Sequence, residues 1–218
     1  MVRIAPSILA ADLADLASEV KRAQAGGCDL IHIDVMDGLF APNLTIGPGT
    51  VKALRRVTDL PLDVHLMIEN PRRFVKPFAL AESDILTVHI EACENIRKLI
   101  GLIKEEKMKV GVALNPETEL STIEGILERL DMVVIMSVHP GFAGQEFIPE
   151  VLSKIETLKA IKDKQDLKLD IEVDGGINLY TARRAIEAGA DILVAGAGIY
   201  GQANIKKAIE SLRGRRLR

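Results

Sequence analysis

The chain has 218 residues, room for one large domain or two small ones at about 100–200 residues each. Its 28 basic and 31 acidic residues leave a net charge of −3, which argues against a general nucleic-acid binder, and 48% hydrophobic with 27% charged residues is a globular mixture, not a disordered one. No apolar run reaches the ~18–20 residues of a membrane helix, and the opening MVRIAPSILAAD meets Asp12 too early for a secretory signal. Two cysteines, Cys28 and Cys93, build no disulfide framework and suit a reducing cytoplasm.

Short Val- and Ile-rich runs recur along the chain. They are Arg3–Leu9, Asp29–Val35, Leu62–Met67, Asp84–Ile90, Lys109–Leu114, Met132–Val138, Lys168–Asp174 and Asp191–Gly196. Each is too short for a core helix and reads as a strand. IHIDV, MVVIMSV and DILVAG are nearly continuous in apolar residues, the pattern of parallel strands buried on both faces.

The stretches between them read as helices. Asp12 is expected to cap Leu13–Ala25, with Gly26–Gly27 as the stop. Asn70-Pro71 opens a second helix, with Asn as cap and Pro at the first helical position. Glu94–Glu106, Thr118–Leu130, Pro149–Lys164, Leu179–Ala188 and Ala203–Leu212 follow, and Gly189 ends the sixth of these seven. With no linker or low-complexity tract, the alternation predicts a single domain over 1–218, a parallel sheet closed into a (β/α)8 TIM barrel. Catalytic groups then belong at the C-terminal strand ends.

Charged residues on buried strands need a reason. His32 and Asp34 on the second strand, and Asp63 and His65 on the third, are spaced i, i+2 and share a face. Asp174 ends the seventh strand, His89 nears the end of the fourth, and His139 follows the sixth. A lone buried histidine is more often a packed core residue. His32, Asp34, His65 and Asp174 at one end of three strands instead suggest a metal site, and two nitrogens with carboxylates suit Zn, Mn, Fe or Co better than Mg or Ca. Met36, Met67 and Met136 end the second, third and sixth strands; they are either core filler or an apolar ceiling that keeps water from a reactive centre. Glycines follow the last three strands, at Gly141-Phe142-Ala143-Gly144, Gly175-Gly176 and Gly196-Ala197-Gly198. Where these are more than tight turns, they suit close backbone approach to a ligand, and loops after strands seven and eight frequently bind phosphate in such barrels. Gly196–Gly201 also matches G-x-G-x-x-G, but the 17 residues beyond it cannot supply the second strand and acidic residue of a dinucleotide site. The terminal RGRRLR reads as a solvated tail.

HIDVMDGLFAPNLTIG, LDVHLMIENP, MSVHPGFAGQEFIPE, EVDGGIN and the opening APSILAADLADL closely resemble the ribulose-phosphate 3-epimerase family, over essentially the whole chain. The resemblance implies a phosphate-binding barrel that interconverts D-ribulose 5-phosphate and D-xylulose 5-phosphate in the pentose phosphate pathway. It implies one divalent metal held by His32, Asp34, His65 and Asp174, with the two aspartates as the acid/base pair. Ser7 and His65 would contact substrate, and Gly141, Phe142, Ala143, Gly144, Asp174, Gly175, Gly176, Gly196 and Ala197 would surround it and its phosphate, beneath a shield of Met36, Met67 and Met136. The implied partner is a small phosphosugar, with no nucleic acid or membrane, and the enzyme is expected to be a cytoplasmic homo-oligomer. The chain departs from the family's wording at Ala41 (usually Val), Ala143 (which varies with Gly), Ala197 (commonly Ser) and His139 (usually Asn, Asp or Glu).

Inverting a carbon beside a ketone needs a proton removed from one face and another delivered to the other, which two carboxylates can do. Asp34 and Asp174 are placed for this on strands two and seven, and a metal would stabilise the enediolate. The loop Pro140–Phe147 is expected to close over the substrate. D-Allulose 6-phosphate 3-epimerase shares this chemistry and the GFAGQ wording and is the alternative. A lysine-dependent aldolase or decarboxylase would want a lysine at a strand's C-terminal end, and none is there. A non-catalytic phosphosugar-binding barrel would not need the paired aspartates.

Overall fold

A computed structural model describes residues 1–214; the basic tail beyond Gly214 lies outside the described residues. Among the described residues, eight parallel strands form one sheet: β1 (Arg3–Pro6), β2 (Ile31–Met36), β3 (Leu62–Met67), β4 (Ile85–His89), β5 (Lys109–Leu114), β6 (Met132–Met136), β7 (Asp170–Asp174) and β8 (Ile192–Ala195). From β2 to β8 each strand pairs with its sequence neighbour, and β1 pairs with β8. The remaining seam, β1 to β2, carries no full ladder. It is closed at one end by a bridge between Ser7 and His32 and at the other by the Asp29 N–H donating to Ile4 O at 2.9 Å. The result is the (β/α)8 barrel expected from the alternation.

The helices are α1 (Leu16–Ala25), α2 (Pro48–Arg55), α3 (Val75–Leu80), α4 (Ile96–Glu105), α5 (Val151–Lys164), α6 (Leu179–Ala188), α7 (Ala197–Tyr200) and α8 (Ile205–Leu212). Their apolar stripes, such as Leu99, Ile100 and Ile103 on α4, pack on the outer face of the sheet in one large cluster. A second cluster fills the barrel itself with Ala5, Ile85, Ala113, Met132, Val134, Ile192 and Val194. This division into inside and outside is the period-2 alternation of each strand made physical.

Several local expectations are corrected. The first strand stops at Pro6, because the Ser7 hydroxyl accepts from Leu9 N at 3.3 Å and turns Ile8–Ala10 into a 3-10 turn. Asp15, not Asp12, caps α1, accepting from Ser18 N at 3.3 Å, while Asp12 closes a preceding turn at Ala14 N at 2.9 Å. Asn70 makes no side-chain cap; it takes a left-handed conformation ahead of a 3-10 turn, Pro71–Phe74, that leads into α3. The Thr118–Leu130 stretch forms two 3-10 turns, Leu120–Thr122 and Glu124–Arg129, instead of an α-helix. Its buried residues Leu120, Ile123, Ile126, Leu127 and Leu130 fit either winding, and Gly125 weakens the α alternative. Helix α2 is not among the seven expected, although Pro48 at its start and buried Val51 and Leu54 mark it. The short α7, begun at Ala197, is also unforeseen within a glycine-rich stretch.

Four aspartates repeat one device at the N-terminal rim. Asp29, Asp84, Asp131 and Asp191 stand just before β2, β4, β6 and β8. Each carboxylate accepts from a backbone N–H of the preceding odd strand: Ile4, Leu62 and Val110 at 2.8 Å, and Ile171 at 2.9 Å. Each aspartate N–H in turn donates to a carbonyl of that strand, at Ile4, Leu62, Val110 and Ile171. The barrel is thereby stitched in quarters at the end away from the site.

Candidate metal and substrate site

The β2–β3 register sets His32 beside Asp63, Asp34 beside His65 and Met36 beside Met67. The β6–β7 register sets Met136 beside Asp174. Alternation turns all of these into the barrel, so His32, Asp34, His65 and Asp174 meet, with one ligating atom of each lying within 4.8 Å of all the others. His32 Nε2 is 3.4 Å from Asp34 Oδ1 and 3.7 Å from Asp174 Oδ2. His65 Nδ1 is 3.7 Å from Asp34 Oδ1 and 3.4 Å from Asp174 Oδ2.

Two observations show that this group fits a cation. His32 Nε2 and His65 Nδ1 are both buried and make no hydrogen bond among the described residues, although each aims at two carboxylates. Buried polar atoms are almost always paired, so a pair of orphans facing one point calls for a shared partner. Second, burial would pull the His32 imidazole down, yet the Asp34 and Asp63 carboxylates override it and hold it well above its ordinary value. His65 is also raised: burial lowers it, and Asp174 and Asp34 more than compensate. Burial likewise pushes the Asp34 carboxyl up, but His32 and His65 draw it far below its usual range. The cluster's electrostatics favour positive charge at its centre, whether proton or metal.

Behind the four lies a supporting layer. Asp63 Oδ2 is 2.7 Å from His32 Nδ1 and, being a carboxylate, holds a hydrogen on that nitrogen, so Nε2 is the nitrogen whose lone pair can go to a cation. Glu172, fully buried, stands 3.6 Å from His32 Nδ1. Burial and the neighbouring Asp63 raise Glu172 well above the ordinary glutamate value, which favours its protonated form. Glu172 was not singled out from the sequence, yet it lies two residues before Asp174, the spacing that picked out His32 with Asp34 and Asp63 with His65. Ser137 is a further unforeseen contributor. Its N–H and its hydroxyl bond Asp174 O at 2.8 and 2.9 Å, and the hydroxyl also bonds Gly175 O at 2.6 Å, pinning the strand end that carries Asp174.

A cavity of about 240 Å³ opens over the cluster. Ser7, Asp34, Gly141, Phe142, Ala143, Gly144, Asp174, Gly175, Gly176, Gly196 and Ala197 line it, as do Met36, Met67 and Met136. His65 does not: it is fully buried behind the wall. His139, Gln145, Asn178 and Gly198 line it without having been named for substrate. The Ser7 hydroxyl donates to Asp34 Oδ2, tying the cavity edge to the cluster. Gly175 and Gly176 adopt φ of +113° and +61°, and a Cβ on Gly176 would fall 2.6 Å from Phe147 N, so only glycine brings the backbone to the cavity there. The loop after β6 arches over the opening. Asn43 Nδ2 holds it from below at Gly141 O, 2.8 Å away, while Phe142 stays 57% exposed at its crest. The three methionines are 6%, 1% and 2% exposed, an apolar roof.

A model described as the ribulose-phosphate 3 epimerase family matches residues 3–200. The ribulose-phosphate 3-epimerase of Bacillus subtilis is 56% identical over 215 residues, covering 98% of this chain and 99% of that protein. The Escherichia coli K12 protein of that name is 43% identical over 211 residues, covering 96% and 94%. The chloroplastic ribulose-5-phosphate-3-epimerase of Arabidopsis thaliana is 48% identical over 212 residues, covering 96% and 75%. Among solved structures, KGPDC from Streptococcus mutans superposes with a TM-score of 0.75 at 14% identity, covering 98% of this chain and 96% of that one. A 3-hexulose-6-phosphate synthase gives a TM-score of 0.68 at 18% identity, covering 98% of each chain. At those identities the structural likeness is one of fold.

Proposed function

The chain belongs to the ribulose-phosphate 3-epimerase family, and we propose that it interconverts D-ribulose 5-phosphate and D-xylulose 5-phosphate by passing the C3 proton between Asp34 and Asp174. It is an isomerase of carbohydrate metabolism whose substrate is a phosphosugar. The observation that carries the mechanism is the convergence of two partnerless imidazole nitrogens with one oxygen from each of two aspartates, directly under the cavity.

In this reading the phosphate rests against backbone N–H groups of Gly175–Gly176 and Gly196–Ala197, and this remote contact aligns the reacting carbon. Ala197 offers no hydroxyl, so the backbone supplies the donors there. Asp34 and Asp174, from β2 and β7, flank C3. One carboxylate removes the proton from one face; the other, entering as the acid, delivers a proton to the opposite face. The Ser7 hydroxyl, donating to Asp34 Oδ2, orients that carboxylate and contacts the substrate. His32 Nε2, Asp34, His65 Nδ1 and Asp174 would hold a divalent Zn, Mn, Fe or Co ion, which when bound would supply Lewis-acid stabilisation of the charge that builds on the substrate oxygens. Met36, Met67 and Met136 keep water from the enediolate, and the loop 140–147 covers it. Cys28 and Cys93 are free thiols, which supports a cytoplasmic setting. Burial pushes both thiols up to about 12, so neither serves as a nucleophile.

The test is turnover in D2O, with metal content measured in every sample. Wild-type protein should place solvent deuterium at C3 as it epimerises. Metal-replete Asp34→Asn and Asp174→Asn should each lose about 10²–10⁴-fold in rate, the worth of a positioned acid or base. Near wild-type epimerisation by either variant refutes the two-base assignment. Preferential turnover of D-allulose 6-phosphate, assayed alongside, would replace the pentulose as substrate.

A further inference from the structure

His65 is held from behind by two residues that do not line the substrate cavity. Its Nε2 lies 2.9 Å from Nε2 of His89, and His89 Nδ1 lies 3.1 Å from Oε2 of Glu91. The two rings are 15° from parallel with centroids 5.0 Å apart. With nitrogens only 2.9 Å apart, that is the edge-to-edge arrangement of an N–H···N bond rather than a face-to-face stack. Glu91 is anchored in turn: its Oε1 accepts from Asn115 N at 2.8 Å and from the Thr118 hydroxyl. The Phe40 ring packs 4.6 Å from His89, which is itself fully buried.

We propose that Glu91 and His89 are positioning residues that dictate which nitrogen of His65 bears the hydrogen. An ionised carboxylate only accepts, so the hydrogen of neutral His89 sits on Nδ1 and its Nε2 is an acceptor. The facing Nε2 of His65 must then donate. That leaves the His65 lone pair on Nδ1, the atom that has no partner and that points at Asp34 and Asp174. His32 is set directly by the carboxylate of Asp63, whereas His65 is set through a second imidazole. The donors around Glu91 give the relay a direction. Both Asn115 N–H and Thr118 hydroxyl meet Oε1, so in Glu91→Gln the amide oxygen belongs there and the amide N–H₂ faces His89. Each hydrogen in the chain then shifts, and His65 presents N–H instead of a lone pair to the cluster.

The inference rests on His65 as a metal ligand, and the experiment separates the two. Two-bond ¹H–¹⁵N correlation spectra of metal-free protein, recorded at alkaline pH where the raised His65 imidazole is neutral, read the imidazole tautomers directly, and titration with Co(II) reads affinity. Wild-type His65 should be the Nε2–H tautomer. Glu91→Gln should show the Nδ1–H tautomer and bind Co(II) about 10–100-fold more weakly, the usual cost of losing such a support. A wild-type His65 carrying its hydrogen on Nδ1 overturns the proposal without reference to any variant. So does a Glu91→Gln protein with unchanged tautomer and Co(II) affinity, the result a purely structural role would give. Wild-type protein that takes up no Co(II) overturns the metal reading itself, and it does so as an absence of binding rather than a difference between variants.

Discussion

At the scale of single residues, the polar side chains inside this barrel are legible by what each must hold. Glu91 gives the clearest consequence for stability. Burial raises its carboxyl, but hydrogen bonds from His89, Thr118 and the Asn115 backbone override that and bring it from an ordinary 4.5 down to about 2. A carboxyl depressed on folding stabilises the native state above its unfolded value, and the contribution is lost as pH falls towards the folded value. Wild-type protein should therefore lose part of its stability advantage over Glu91→Gln between about pH 4.5 and about pH 2. Denaturant unfolding of both proteins across that range checks this, and a constant difference between them would contradict it. His89 is lowered as well, chiefly by burial, to about 4, which keeps the imidazole neutral in its pocket near pH 7.

At the scale of elements, the strand ends divide into a chemical rim and a structural rim. The C-terminal ends carry Asp34, Met36, His65, Met67, Met136 and Asp174, while the N-terminal ends carry the four aspartate stitches. Conserving the shape of a barrel while varying its chemistry needs such a division. Removing one stitch should cost stability and spare catalysis. Asp131→Ala strands the Val110 N–H that now meets its carboxylate at 2.8 Å, and an unsatisfied buried donor costs about 1–3 kcal/mol. Equilibrium unfolding should register that loss with kcat/KM unchanged. A drop in kcat/KM at full folding would mean that the two rims are coupled. The Leu120–Arg129 stretch shows the limit of reading elements from pattern: buried Leu120, Ile123, Leu127 and Leu130 keep an α-helical spacing, yet the chain winds as 3-10 turns.

At the scale of the whole molecule, the helices hold the sheet from outside while a mixed interior, apolar below and ionic towards the mouth, fills the barrel. A cation that binds only the folded ionic layer stabilises the entire fold by mass action. At a hundred-fold excess over Kd this is about 2.7 kcal/mol, or roughly 5–10 °C in Tm for a chain of this size. Chelation of metal-loaded protein should lower Tm by that amount and readdition of Zn, Mn, Co or Fe should restore it; an indifferent Tm would argue against a cation in the cluster. Alternation of eight β-branched runs with amphipathic stretches was enough to specify the parallel barrel, because each unit must bury two faces of a strand and one of a helix. The i, i+2 spacing of His32 with Asp34 and of Asp63 with His65 was enough to mark the site, because residues two apart on a strand share a face. What only the tertiary structure decided were the relations across strands. Glu172 and Ser137 acquire their roles from partners on other strands, and His89 becomes a support of His65 only when β3 and β4 lie side by side. The β1–β2 seam, the rooting of the β6 loop on Asn43 and the glycines pressed against Phe147 and Val138 depend on how eight units close into a ring. Register and closure are set by packing between segments distant in sequence, and no local pattern encodes them.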